Sequence, residues 1–296
     1  MEKKQEKTLV IMITWWLGRV VAMSGAITEL AKKRPVKVIT SRPIVFRANP
    51  YVTEVYGVDH PNLYKTVIKG NDYLELEPYT NPKFFNDAVN RLEIARETLG
   101  LEKIAEPKLF LAEHEKENAT IMNIPQGKIP VLFQPFGSTM EMNGSDRSYR
   151  SIKIDDAQYL ADLLNQNGFV PMLVIKPGKQ PILNWCQVLD TPDLRSVMSL
   201  CSKYPVFWMD SCLHHCAKAF WKKSVVIRAG TDAERFGYES DINLREFPMV
   251  EHTPMRLPMN DFNFDISNQN TNKFTKKFLE DAVKQFTEMV KKEFKF

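Results

Sequence analysis

The chain has 296 residues, 44% of them hydrophobic and 26% charged, with a formal net charge of +4. This size and balance describe an ordinary globular protein of about two domains, and exclude a disordered, fibrous or disulfide-scaffold chain. No apolar run approaches the roughly 20 residues that a bilayer span needs, and the mild positive charge permits an anionic partner without indicating one.

The basic start MEKKQEK is followed by neither an adequate apolar stretch nor a small-residue cleavage site, so no secretory leader is expected. Thr8–Thr14 (TLVIMIT) is almost continuously apolar, the pattern of a strand covered on both faces. After Trp15-Trp16-Leu17-Gly18-Arg19, Val20–Lys33 carries apolar residues at helical spacing, with small Ala22, Ser24, Gly25 and Ala26 among them. Pro35 ends that helix, Val36–Thr40 is the next strand, and the resulting β-loop-α-β unit implies a parallel sheet. Val52–Val58 reads as a third short strand. Pro82–Leu99 reads as one amphipathic helix with Phe85, Ala88, Val89, Leu92 and Ala95 on one side. Glu113–Gln126 is polar and suits a linker.

A second α/β round begins at Ile129–Phe133, followed by a loop, Gln134–Arg150, that holds Pro135, Gly137, Gly144 and several hydroxyls. Asp155–Asn167 is expected to be helical, with Gly168 capping it, and Phe169–Ile175 to be a strand. Pro192–Ser202 reads as a short helix after the cap Thr191. Val206–Met209 then delivers Asp210 to the carboxyl end of a strand, with Ser211, His214 and His215 behind it. Val225–Ile227 similarly ends in Ala229-Gly230-Thr231-Asp232. Ligands of open α/β sheets bind at such strand ends, where helix N-termini offer free N–H groups to anions. A nucleotide or phosphate pocket is therefore expected there. Lys273–Lys292 closes the chain as an amphipathic helix. Cys186, Cys201, Cys212 and Cys216 form neither a Cys-x-x-Cys pair nor a zinc spacing. Reduced thiols are expected and no metal, although Cys212, Cys216 and His215 lie close together.

Read in order, these motifs resemble glycosyltransferase family 9, the heptosyltransferase family of the GT-B glycosyltransferases. LVIMITWWLGRVV is similar to the family's first strand and glycine turn, and Asn49-Pro50-Tyr51-Val52-Thr53-Glu54-Val55 to its NPYVDEV segment. Gln134-Pro135-Phe136-Gly137-Ser138 resembles the loop that opens its second domain, and Arg150 the basic residue that follows. Asp210-Ser211-Cys212-Leu213-His214-His215 is similar to its Asp-Thr-Gly-x-x-His motif. Ala229-Gly230-Thr231-Asp232, with Gly237-Tyr238 behind it, looks like its Gly-Pro-Thr-Asp loop. The resemblance covers most of the chain.

It implies an α/β, GT-B architecture: two Rossmann-like domains facing a cleft, with residues 1–125 binding the acceptor and 126–270 the nucleotide-diphosphate sugar. Residues 271–296 would form a closing helix, with the N-terminal domain as one surface for it to pack back on. It further implies transfer of a sugar to a hydroxyl without an obligatory metal or other cofactor, in the cytoplasm of a bacterium or a phage-infected cell. Monomer or small oligomer is left open. The expected donor-binding residues are Gly137, Ser138, Arg147, Asp210, Ser211, His215, Thr231 and Asp232. Gly137 and Ser138 would cradle phosphate unless they only make a turn, and Thr231 and Asp232 serve equally well as helix caps. Arg150 or Arg147 is expected to stabilise the leaving diphosphate, as guanidinium and backbone N–H groups can without an ion.

Two positions depart from the family. Its Gly-Asp turn, whose Asp is the general base, is Gly18-Arg19 here, and an always-charged guanidinium cannot accept a proton. The Gly of the Asp-Thr-Gly motif is Cys212. Arg19 is accordingly expected to meet a phosphate, and a replacement base is sought among Asp146, Glu141, Asp59 and His60. Trp15 and Trp16 are either core residues or an aromatic shelf for the acceptor. That acceptor is a lipopolysaccharide or other glycan sugar, or a hydroxymethylated base of phage DNA; a sugar-nucleotide-binding protein without transfer activity is the non-enzymatic reading.

Overall fold

The computed structural model describes residues 7–14, 16–121, 123–137, 141–143, 151–176, 178–189, 193–229, 231–246 and 274–294. The chain divides into two compact units, Met1–Lys116 with Lys218–Trp221, and Glu117–Ala217 with Lys222–Phe296. The break falls earlier than the 125/126 boundary read from the sequence. No helix among the described residues is long and apolar enough to cross a membrane.

In the first unit β1 (Leu9–Ile13) leads into α1 (Leu17–Ala31), then β2 (Val36–Thr40), β3 (Glu54–Gly57) and β4 (Asp72–Glu75). Short helices α2 (Pro82–Asn86) and α3 (Arg91–Thr98) follow, and α4 (Glu113–Glu117) spans the residue at which the unit ends. The four strands are parallel in the order β3-β2-β1-β4, with Leu9 opposite both Val36 and Asp72. Strand β4 escapes a pattern reading because it is an edge strand: Asp72, Tyr73 and Glu75 are exposed, so no continuous apolar run marks it. The single helix expected over Pro82–Leu99 is two. Ala88 takes a left-handed backbone (φ 53°), and the Asn90 side chain accepts from Leu92 N at 2.9 Å, starting α3 afresh.

Small residues on α1 admit the Glu106–Pro107 segment. A Cβ built on Gly25 would overlap the backbone carbonyl of Glu106, and Ser24 Oγ accepts from Lys108 N at 3.0 Å beside it. Gly25→Ala is therefore expected to cost the first unit about 1–3 kcal/mol through overpacking, read as a lower urea midpoint for that unit. An unchanged midpoint would show that the segment is not packed there.

The second unit holds β5 (Ile129–Gln134), α5 (Ile154–Gln166), β6 (Phe169–Leu173), β7 (Gln187–Val188), α6 (Leu194–Lys203) and β8 (Val206–Met209). It continues with α7 (Cys212–Ala219), β9 (Val225–Ile227), α8 (Ala233–Phe236), β10 (Ile242–Leu244) and α9 (Lys276–Glu293). Its six parallel strands run in the order β10-β9-β8-β5-β6-β7. Helix α6 starts at Asp193, whose side chain accepts from Ser196 N at 2.9 Å; the cap expected at Thr191 lies outside the described residues.

The helix expected to close the chain, with the N-terminal domain as one possible surface to pack on, is α9. Its apolar face is spent within its own unit. Leu279, Ala282, Val283, Phe286, Met289 and Val290 are buried with Leu160, Ala161 and Leu164 of α5 and with Phe207 and Ile227 of the sheet. Phe286 sits 5.2 Å from the Phe169 ring and 5.1 Å from Phe207. Burial of this kind contributes about 1.5–3 kcal/mol per large side chain.

Candidate functional site

In the second sheet the strand order reverses between β5 and β8, since the chain winds outward from β5 to β7 on one side and from β8 to β10 on the other. At such a reversal the flanking connections leave to opposite faces and open a crevice outside the carboxyl ends. Gln134 ends β5, and Asp210 and Ser211 follow β8. The Ser211 hydroxyl donates to Gln134 Oε1 across this point and accepts from Leu213 N at 3.3 Å, starting α7.

Around it lies a buried polar cluster. Asp210 is 4% exposed, its Oδ1 3.2 Å from His214 Nδ1 and 3.5 Å from Arg228 Nη1. Burial by itself raises its pKa, but the Arg228 guanidinium and His214 outweigh burial and hold the carboxyl well below the usual carboxylate range. Arg228, at the end of β9 and almost fully buried, also donates from Nε to Asn243 Oδ1 at 2.8 Å and from Nη1 to the Asp232 carbonyl at 3.3 Å. His215 Nδ1 is 2.9 Å from the Tyr238 hydroxyl. His214 Nε2 is 4.0 Å from Asp241 Oδ2. The ends of β8 and β9 are thus tied together by the Asp210–Arg228 ion pair, and Asn243 of β10 holds the same guanidinium.

Asp210, Ser211 and His215, picked from the sequence, share this cluster. Thr231 is buried too, its hydroxyl without a hydrogen-bond partner among the described residues and so with capacity for a ligand. Asp232 is committed as a cap: Oδ1 accepts from Arg235 N at 2.6 Å and Oδ2 from Arg235 Nη1 at 2.7 Å. Gly137, expected as part of a phosphate cradle, has both of its backbone polar groups bonded to side chains. Its N–H donates to Ser151 Oγ at 2.8 Å and its carbonyl accepts from Gln180 Nε2 at 2.5 Å. Ser138, Asp146, Arg147, Arg150 and Trp15 lie outside the described residues, Glu141 is exposed, and Trp16 is 52% exposed at the start of α1. Arg228, Asp241 and Asn243 are missed by sequence reading. A single Arg closing an apolar strand (VVIR) is the one local signal for the first of them.

The ligand atoms of Asp210, His214 and His215 lie within 4.8 Å of one another, the one such grouping of potential metal ligands among the described residues. Arg228 already supplies a cation 3.5 Å from Asp210. All four cysteines are free thiols. Burial pushes the Cys186 thiol up to about 12, helped by Asp162, and also raises those of Cys201 and Cys216. None of these three is a thiolate ligand or nucleophile at neutral pH.

In the first sheet the order reverses between β1 and β4. Arg19 enters that region from the first turn of α1 and Glu77 from just beyond β4. The two form a salt bridge, with Arg19 6% and Glu77 15% exposed. The Arg19 guanidinium carbon stands 4.3 Å from the centroid of the Tyr79 ring, and Tyr79 Oη accepts from Arg91 Nη1 at 3.0 Å. Arg19, expected to meet a phosphate, is engaged instead by a carboxylate that the sequence does not mark, because the partner lies 58 residues away.

No family model matches the sequence, and no curated protein matches it. Solved structures do match in fold. The dodecameric iron-containing heptosyltransferase TibC, in complex with ADP-D-beta-D-heptose, superposes with a TM-score of 0.68 at 13% identity over 100% of this chain and 81% of that one. ADP-heptose LPS heptosyltransferase II of E. coli gives 0.62 at 14% identity over 97% and 100%. A family 9 glycosyltransferase from Veillonella parvula DSM 2008 gives 0.60 at 13% over 80% and 85%. This chain therefore has the α/β fold of the heptosyltransferases and family 9 glycosyltransferases, the family its motifs resemble.

Proposed function

We propose that this protein is a divergent, heptosyltransferase-like glycosyltransferase that moves a sugar from a nucleoside-diphosphate donor to a hydroxyl of a glycan. The observation that carries the reading is the buried Asp210–His214–His215–Arg228 cluster at the strand reversal of the second unit. A carboxylate held ionised there accepts hydrogen bonds from ligand hydroxyls. The Thr231 hydroxyl and the N-terminus of α7 can donate to a diphosphate. Stabilisation of the leaving diphosphate falls to Arg147 or Arg150 in the loop after β5, with Arg19 held back by Glu77. The matching folds, one of them solved with ADP-heptose, make ADP-linked sugars the first donors to try.

Calorimetry with ADP-, UDP- and GDP-sugars, followed by transfer assays on glycan and duplex DNA acceptors, tests this. A single nucleotide class is expected to bind and a glycan to be modified. Binding without turnover on any acceptor would reduce the protein to a sugar-nucleotide binder, and modification of DNA alone would reassign the acceptor. Transfer is also expected to survive EDTA, because guanidinium groups can take the metal's role at the diphosphate. Loss on chelation, restored by a divalent ion, would make Asp210, His214 and His215 metal ligands.

A further inference from the structure

The family resemblance leaves the first unit without its base, because position 19 is Arg. The geometry of the first sheet supplies another carboxylate. Its strand order, β3-β2-β1-β4, places the reversal between β1 and β4, so the crevice where an α/β sheet receives its ligand lies outside the carboxyl ends of those two strands. Arg19 follows β1 and Glu77 follows β4, and their side chains meet. Asp59 and His60, candidates from the sequence, follow β3 instead, two strands away from β1 in the sheet.

Glu77 is held at both oxygens. Oε1 accepts from Tyr79 N at 3.1 Å and Oε2 from Arg19. The guanidinium that holds it is fixed in turn by the Tyr79 face and lies deeper than the carboxylate, 6% against 15% exposed. A fixed carboxylate with an accessible edge can take a proton at one defined place, and the guanidinium beside it, which cannot itself titrate, fixes its orientation.

We propose that Glu77 is the catalytic base of the transfer, oriented by Arg19 at the position where the resembling family carries its Asp; this rests on the transferase reading above. The Glu77 carboxylate takes the proton of the acceptor hydroxyl as that oxygen's lone pair attacks the anomeric carbon. The new glycosidic C–O bond forms, the bond from the anomeric carbon to the diphosphate oxygen breaks, and its electron pair leaves on the nucleoside diphosphate. Glu77 then returns the proton to water. Burial pushes its pKa up, Arg19 and the Tyr79 N–H pull it down, and Glu75 raises it again; the net direction is upward, toward the range in which a carboxylate is an effective base near neutrality.

The test uses the full chain with the nucleotide sugar found by calorimetry. Glu77→Gln keeps the size of the side chain and an acceptor for Tyr79 N. It is expected to lower kcat at least 100-fold, to leave the Kd for the nucleotide sugar within twofold, and to abolish the acid limb of the kcat–pH profile. Glu77→Asp, which keeps the charge, should retain part of kcat together with that limb. A Glu77→Gln protein with kcat within threefold of wild type, or with the acid limb intact, overturns the assignment while leaving the transferase reading standing. A wild-type protein that binds no nucleotide sugar overturns both.

Discussion

Asp210→Ala is expected to destabilise the second unit by about 3–5 kcal/mol, because it strands the buried Arg228 guanidinium without its carboxylate. Donor binding should fall with it, at least tenfold, measured by calorimetry at a temperature where circular dichroism shows the variant still folded. Asp210→Asn separates charge from volume, and its pH dependence has a definite sign. The folded-state pKa of Asp210 is depressed, so its contribution is fully present above the unfolded carboxyl value, about 3.9, and is lost as pH falls through the lower folded value. The gap in urea midpoint between wild type and Asp210→Asn should therefore be widest near pH 6–7 and narrow below about pH 4. A gap that is constant down to pH 2, or absent at pH 7, would mean that the Arg228 and His214 contacts do not stabilise the ionised carboxylate.

Arg19→Asp is expected to lower transfer at pH 7 about 100-fold, the scale at which general-base catalysis operates. The substitution removes the guanidinium that pulls the Glu77 pKa down. Burial and Glu75, both of which raise it, remain, and a second carboxylate is set against the first. More of Glu77 is then protonated at neutrality, so the acid limb of the rate profile should move to higher pH and part of the activity return under alkaline conditions. Arg19→Lys keeps the charge but loses the fork geometry and the stacking on Tyr79, and should retain an intermediate rate. Full or enhanced activity in Arg19→Asp would return the proton transfer to position 19 and remove it from Glu77.

The sequence by itself determined the alternation of strands and helices and the register of small and acidic residues at the ends of β8 and β9. These are local signals: apolar runs of strand length, turn residues after them, and a cap within a few positions. Asp210, Ser211 and His215 could be singled out for the same reason, since each sits within six residues of an unmistakable strand end. The weakly patterned pieces were not legible. Edge strand β4 exposes most of its side chains, and the break between α2 and α3 depends on Asn90 capping a new helix against the apolar periodicity around it. What only the tertiary structure decided are the charge pairings. Arg19 with Glu77 and Arg228 with Asp210 join residues 58 and 18 positions apart. Each pairing follows from which strands lie adjacent across or beside the reversal of a sheet. Strand order is set by the burial of whole faces and by the handedness of the crossovers, and no single residue announces it.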